Sequence, residues 1–130
     1  MKNLLTVTTV IESITGLLLV LLPSKLVYFL FGSVLDSPVA LIVAHIAGVA
    51  LMALGITCWM ARNDNQSSAV KGVITGLILY NAGVVAVLAY AKIGLGLSGS
   101  GLWAAVLVHF IMAIWCVLSL LDLSRRSIRI

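Results

Sequence analysis

Four stretches of this chain run for the length of a membrane crossing with almost no charge: Leu4 to Leu22, Val39 to Ala61, Gly72 to Ala91 and Leu102 to Leu121. Each approaches or exceeds the roughly 20 residues that an α-helix needs to cross ~30 Å of hydrocarbon. Lipid offers no water to a free backbone N–H or C=O, so a crossing segment must satisfy its own polar groups, as a helix or a closed barrel does. No run alternates with period two over the length of a barrel strand. The expected fold is all-α: one integral membrane domain over residues 1–130, built as a bundle of four transmembrane helices. Composition points the same way. Of the 130 residues 62% are hydrophobic and 9% charged, whereas a soluble domain is nearer half and a quarter. A chain this short has far more apolar surface than a water-soluble core could hide.

The net charge of +4 forms no stripe along a soluble face, so nucleic acid is not an expected partner. Lys2, Arg62, Lys71, Arg125, Arg126 and Arg129 lie at helix ends or tails. With four crossings they share one side, and only Lys25 and Lys92 fall on the other. Basic residues concentrate on the cytoplasmic side of membrane proteins, which predicts cytoplasmic termini. Lys2 followed by an apolar stretch resembles a signal peptide. No small-x-small pair precedes Pro23 and Glu12 interrupts the stretch, so the segment is read as retained. The tail after Leu121 is basic and suits anionic headgroups, with Asp122 and Arg126 at i, i+4 spacing.

The connections differ in character. Asn63 to Val70 is polar, with Ser67 and Ser68 as cap candidates, and Ser37-Pro38 suits the start of the second helix. Ile93 to Gly101 is rich in Gly and Ser and reads as flexible. Pro23 to Gly32 is too short to cross and too apolar for water. It reads as a short interfacial helix between spans one and two, opened by Pro23, closed by Gly32, with Tyr28 and Phe29 near headgroup level. The competing reading continues the first helix to Phe31 with a kink at Pro23.

A few polar residues interrupt the apolar runs. Glu12 stands mid-way along the first, where a charge costs about 3 kcal/mol on the most lenient scale. Its helical neighbours Thr8, Thr9, Thr15 and Gly16 are small or polar, a face suited to a bundle interior. His45, Asn81 and His109 lie within the second, third and fourth runs. Counting 1.5 Å per residue from the run ends puts Glu12 and Asn81 about 12 and 14 Å from one edge. The two histidines fall near 20 Å on the same scale. That predicts two layers, Glu12 with Asn81 and His45 with His109, about 7 Å apart. Intramembrane polar groups also serve as plain interhelical glue. Cys58 and Cys116 fall in an apolar, reducing setting, where a disulfide is not expected.

Three functional readings follow. The polar cluster Glu12, His45, Asn81 and His109 binds a small ligand or protons within the bundle. Alternatively, the protein is a non-catalytic accessory subunit of a larger membrane complex, or a homo-oligomer, using the smooth face of Gly72, Gly76 and Gly83. In the third, His45 and His109, on helices running the same way, are the axial ligands of a b-type haem. Cys and His spacing signals no other metal site. An enzyme is not expected: the chain has no Ser-His-Asp constellation, P-loop, Rossmann glycine fingerprint or HExxH.

Several segments carry a resemblance: Glu12 followed by Gly16 to Pro23, Leu30-Phe31-Gly32, Gly48 to Gly55, Cys58 to Arg62, Leu79-Tyr80-Asn81, Gly101-Leu102-Trp103, His109, and Trp115-Cys116. Together they resemble the small, uncharacterised four-helix inner-membrane proteins of bacteria. The resemblance implies a bacterial inner-membrane location and brings no activity. Glu12 is also similar to the first-helix glutamate of small multidrug exporters, which exchanges protons for cations. The chain departs from that family in its one-sided charge.

Overall fold

The computed structural model describes residues 1–64 and 67–128, with the backbone alone for 126–128. Arg129, the Arg126 side chain and the expected Asp122–Arg126 pairing lie outside the described residues. The described chain is entirely helical: α1 Lys2–Leu21, α2 Pro23–Phe31, α3 Pro38–Ala61, α4 Ser68–Ile93 and α5 Leu102–Ile128. Among the described residues, α1, α3, α4 and the Leu102–Arg125 part of α5 are long and apolar enough to cross a membrane.

Local chemistry sets the helix ends. Proline at position 23 has no N–H to donate, which suits a first helical position. The chain breaks at Leu22, with φ −138° and ψ 48°, and α2 starts afresh at Pro23. The first helix therefore does not continue to Phe31. Gly32 ends α2 in the left-handed region at φ 66°, where its N–H reaches Tyr28 O, a conformation that costs glycine nothing. Ser67 caps α4, its Oγ accepting from Val70 N–H at 3.2 Å. Asp64 holds the cap in turn, Oδ1 accepting from Ser67 N–H at 3.1 Å. Ser37 occupies the cap position of α3 without a side-chain bond. Arg62 closes α3 by donating to Trp59 O and lying 3.3 Å from the Trp59 ring centroid.

Packing joins the long helices as two antiparallel pairs, α1 with α3 and α4 with α5, with smaller contacts of α3 on α4 and α1 on α5. Glycine is what brings α1 and α3 together. A Cβ on Gly16 would stand 2.6 Å from Gly48 O, and one on Gly48 would stand 2.7 Å from Gly16 O. Lipid tails are as apolar as leucine, so helix association in a membrane relies on such close backbone approach. Thr9 Oγ1 adds a cross-helix bond to Gly55 O at 3.1 Å while also facing Leu5 O at 2.8 Å. The core lies at the end holding the two termini: Leu4, Leu5, Cys58, Val70, Ile74, Leu77, Met112, Cys116 and Leu123 pack as one cluster. Both cysteines are buried there as free thiols.

At the opposite end the Gly/Ser connection is not the loose tether its composition suggests. Ser98 N–H donates to Phe31 O at 3.0 Å and Gly101 N–H to Phe29 O at 2.9 Å. The last carbonyls of a helix lack intrahelical partners, and this connection supplies them for α2. Gly99 and Gly101 lie so close to Phe29 and Leu30 that a Cβ on either would collide. Composition reports the freedom of an isolated segment, and here backbone bonding to α2 removes it.

Candidate functional site

The face of α1 expected to turn inward does so: Thr8 and Glu12 are buried, Glu12 with 3% of its surface exposed, and Gly16 is buried with them. Across from Glu12, on α4, stands Tyr80, whose Oη donates to Glu12 Oε2 at 2.9 Å. The next residue, Asn81, is 2% exposed and serves the other neighbour of α4. Its Nδ2 donates to Leu77 O at 2.8 Å, and its Oδ1 lies 2.9 Å from His109 Nδ1 on α5. The rings of Tyr80 and His109 meet edge to face, with centroids 5.6 Å apart. Glu12, Tyr80, His109 and Asn81 thus form one contiguous polar group linking α1, α4 and α5.

The bonding pattern settles the histidine's tautomer. Leu77 O is a carbonyl and can only accept, so the Asn81 amide nitrogen must face it. That leaves Oδ1, an acceptor, for His109. His109 Nδ1 must then carry the proton, and in the neutral ring Nε2 keeps its lone pair. No described residue bonds His109 Nε2 or Glu12 Oε1, and no described side-chain N or O is both sealed and unpaired. The group therefore presents two open atoms, and both accept hydrogen bonds when Glu12 is ionised.

Comparison with protein-family models, curated proteins and solved structures finds no match to this chain. Its chemistry is read from its own residues.

Two expectations about the site need correction. Asn81 does not lie in a separate layer from His109, because the two are directly bonded. Depth by residue count took the apolar run as the helix, but α4 begins at Ser68, before the Gly72 from which depth was counted. His45 does not join His109. It lies partly buried on α3, lining an open hollow of about 390 Å³ with Ile46, Val49, Ala50 and Ala53. The buried face of α3 runs through Ala44, Gly48, Gly55 and Cys58. His45 is one residue off that face, about 100° round the helix. Nor do α3 and α5 pack as a pair, and His109 Nδ1 is engaged by Asn81 rather than by anything on α3. Among the described residues no three His, Cys, Asp or Glu side chains cluster as a metal site would need.

Tyr80 is the residue the sequence reading missed. A signal was there: tyrosine is enriched at membrane interfaces, and a buried phenol needs a partner. The glycines of α4 meet nothing: a Cβ on Gly72, Gly76 or Gly83 would have no neighbour within 4 Å.

Proposed function

We propose that this chain is a four-helix bundle in the membrane that binds a small hydrogen-bond donor, a proton or an organic cation, at Glu12 and His109, with Tyr80 and Asn81 holding the two in place. The observation carrying this reading is the contiguous group Glu12–Tyr80–His109–Asn81, deep in the spans, with one open acceptor on Glu12 and another on His109. Packed as a ring α1, α3, α4, α5, the bundle makes α1 and α4 diagonal neighbours, and the Glu12–Tyr80 bond crosses its interior. Ionisable groups inside a membrane mark substrate, ion or proton pathways more often than idle packing. The protein is non-enzymatic in this reading: the group offers acceptors and a phenol and no activated nucleophile. Lys2, Arg62, Lys71 and Arg125 sit at the ends of spans on the side of the two termini, which favours a cytoplasmic placement of that side in a bacterial inner membrane.

The test is a thermal-shift titration of the purified protein in mild detergent with a series of alkylammonium ions and their neutral alcohol counterparts. At least one ammonium ion should stabilise the wild type saturably, and Glu12→Gln and His109→Phe should each abolish that response. A Glu12→Gln variant that responds like wild type would reduce Glu12 to a packing residue. If no cation stabilises the wild type and dye-loaded vesicles show no proton movement, the reading fails.

One observation favours a second reading, an accessory subunit or homo-oligomer: the uncovered Gly72, Gly76, Gly83 face of α4. Small residues on a helix face let another helix approach closely. The readings part on what co-purifies in mild detergent, a small molecule for the first or a polypeptide for the second.

A further inference from the structure

The break at Leu22 turns α2 away from α1 and leaves a hollow inside the elbow. Leu18, Leu22, Lys25, Leu26 and Phe29 line it around a volume of about 270 Å³. Leu18 and Leu22 come from the end of α1 and the break, Leu26 and Phe29 from successive turns of α2. Lys25 brings the one charge, and its ammonium forms no ion pair with any described residue, Asp36 of the neighbouring loop included. The elbow is held open by bonds made elsewhere. Ser98 and Gly101 tie the far end of α2 to the α4–α5 connection, and Pro23 is buried at the bend. Its height is set by the chain: α2 follows α1 directly and leads within a few residues to the start of α3 at Pro38. In a bilayer this is the level where hydrocarbon gives way to headgroups.

We infer that this elbow is a binding site for one anionic phospholipid, its acyl chain against Leu18, Leu22, Leu26 and Phe29 and its phosphate on Lys25. The hollow has the amphiphile's own pattern, one cation at the edge of an otherwise apolar surface. A peptide would fit it poorly, because its backbone N–H and C=O groups would enter a space with almost no polar atoms to receive them. Lys92, at the same end of the molecule, does not line the hollow and serves as the internal control.

Native mass spectrometry of protein extracted from vesicles of equal phosphatidylglycerol and phosphatidylcholine tests the site. One retained phosphatidylglycerol per chain is expected, preferred about fivefold over phosphatidylcholine, the attraction of one lysine for an anionic surface. Lys25→Gln should bring the two lipids to parity, and Lys92→Gln should leave the preference intact. Phe29→Ala should lower retention of both lipids, since it removes chain contact and not charge. Added inorganic phosphate should displace nothing. Equal retention of the two lipids by the wild type would overturn the site. So would an unchanged preference in Lys25→Gln, or an equal loss in Lys92→Gln. Displacement by free phosphate would identify a simple anion site, and a co-purified polypeptide that shields Lys25 from amine acetylation would identify a protein-docking site. Either result also overturns the assignment.

Discussion

Replacing Asn81 by leucine removes two hydrogen bonds of unequal weight. The bond to Leu77 O costs little to lose, because that carbonyl also receives the helical N–H of residue 81. The bond to His109 matters more, since Oδ1 is the only described partner of Nδ1. Interhelical polar bonds in membranes average about 0.6 kcal/mol and reach about 1.7, and an unpaired buried donor costs about 1–3 kcal/mol. His109 is only partly buried, so a loss of about 0.5–1.5 kcal/mol is expected from these ranges. A double-mutant cycle with His109→Phe should return about 0.6 kcal/mol of coupling. The sharper readout is the tautomer, seen in the ¹⁵N shifts of labelled histidine with the ring neutral. In the wild type Nδ1 should be protonated and Nε2 bare. Asn81→Asp keeps an acceptor at that place and should preserve the pattern, whereas Asn81→Leu should release it to a mixture. A wild-type His109 protonated at Nε2 would refute the reasoning, and so would an Asn81→Leu variant with an unchanged tautomer.

Two further outcomes concern packing. Gly16→Ala should destabilise the α1–α3 pair by about 1–3 kcal/mol in reversible unfolding from mixed micelles, because the new methyl meets backbone and must push the helices apart; a change under about 0.5 kcal/mol would mean that the contact is loose. Gly76→Leu should leave the monomer's stability within about 0.5 kcal/mol of wild type, since its Cβ enters open space, yet should weaken any co-purifying helix partner; equal recovery of that partner would remove α4 from the interface.

The membrane class and the four long helices were legible because hydropathy over some twenty residues is a local property. The break at Pro23 was legible for a local reason too, since proline lacks the N–H that would continue α1. Glu12 and Asn81 stood out as polar residues in apolar runs, and both are buried. Tyr80 did not stand out, because tyrosine reads as hydrophobic in a count that ignores its hydroxyl. The connection from Ile93 to Gly101 looked loose because nothing in Gly and Ser reveals that Phe29 and Phe31 carbonyls wait within bonding distance.

By itself, then, the chain's order of residues determined how many helices are long and apolar enough to cross a membrane and which polar residues interrupt them. Both are local properties, whereas the depth of each polar group depended on where a helix starts, and α4 starts before its apolar run. Which way each group faces required the tertiary structure. A single residue turns the helix by about 100°, so Ala44 is buried while His45 lines an open hollow, and only the neighbours of α3 decide which of the two is inside. The pairing of Asn81 with His109 and of Tyr80 with Glu12 was decided in the same way, by helices that meet across long stretches of chain.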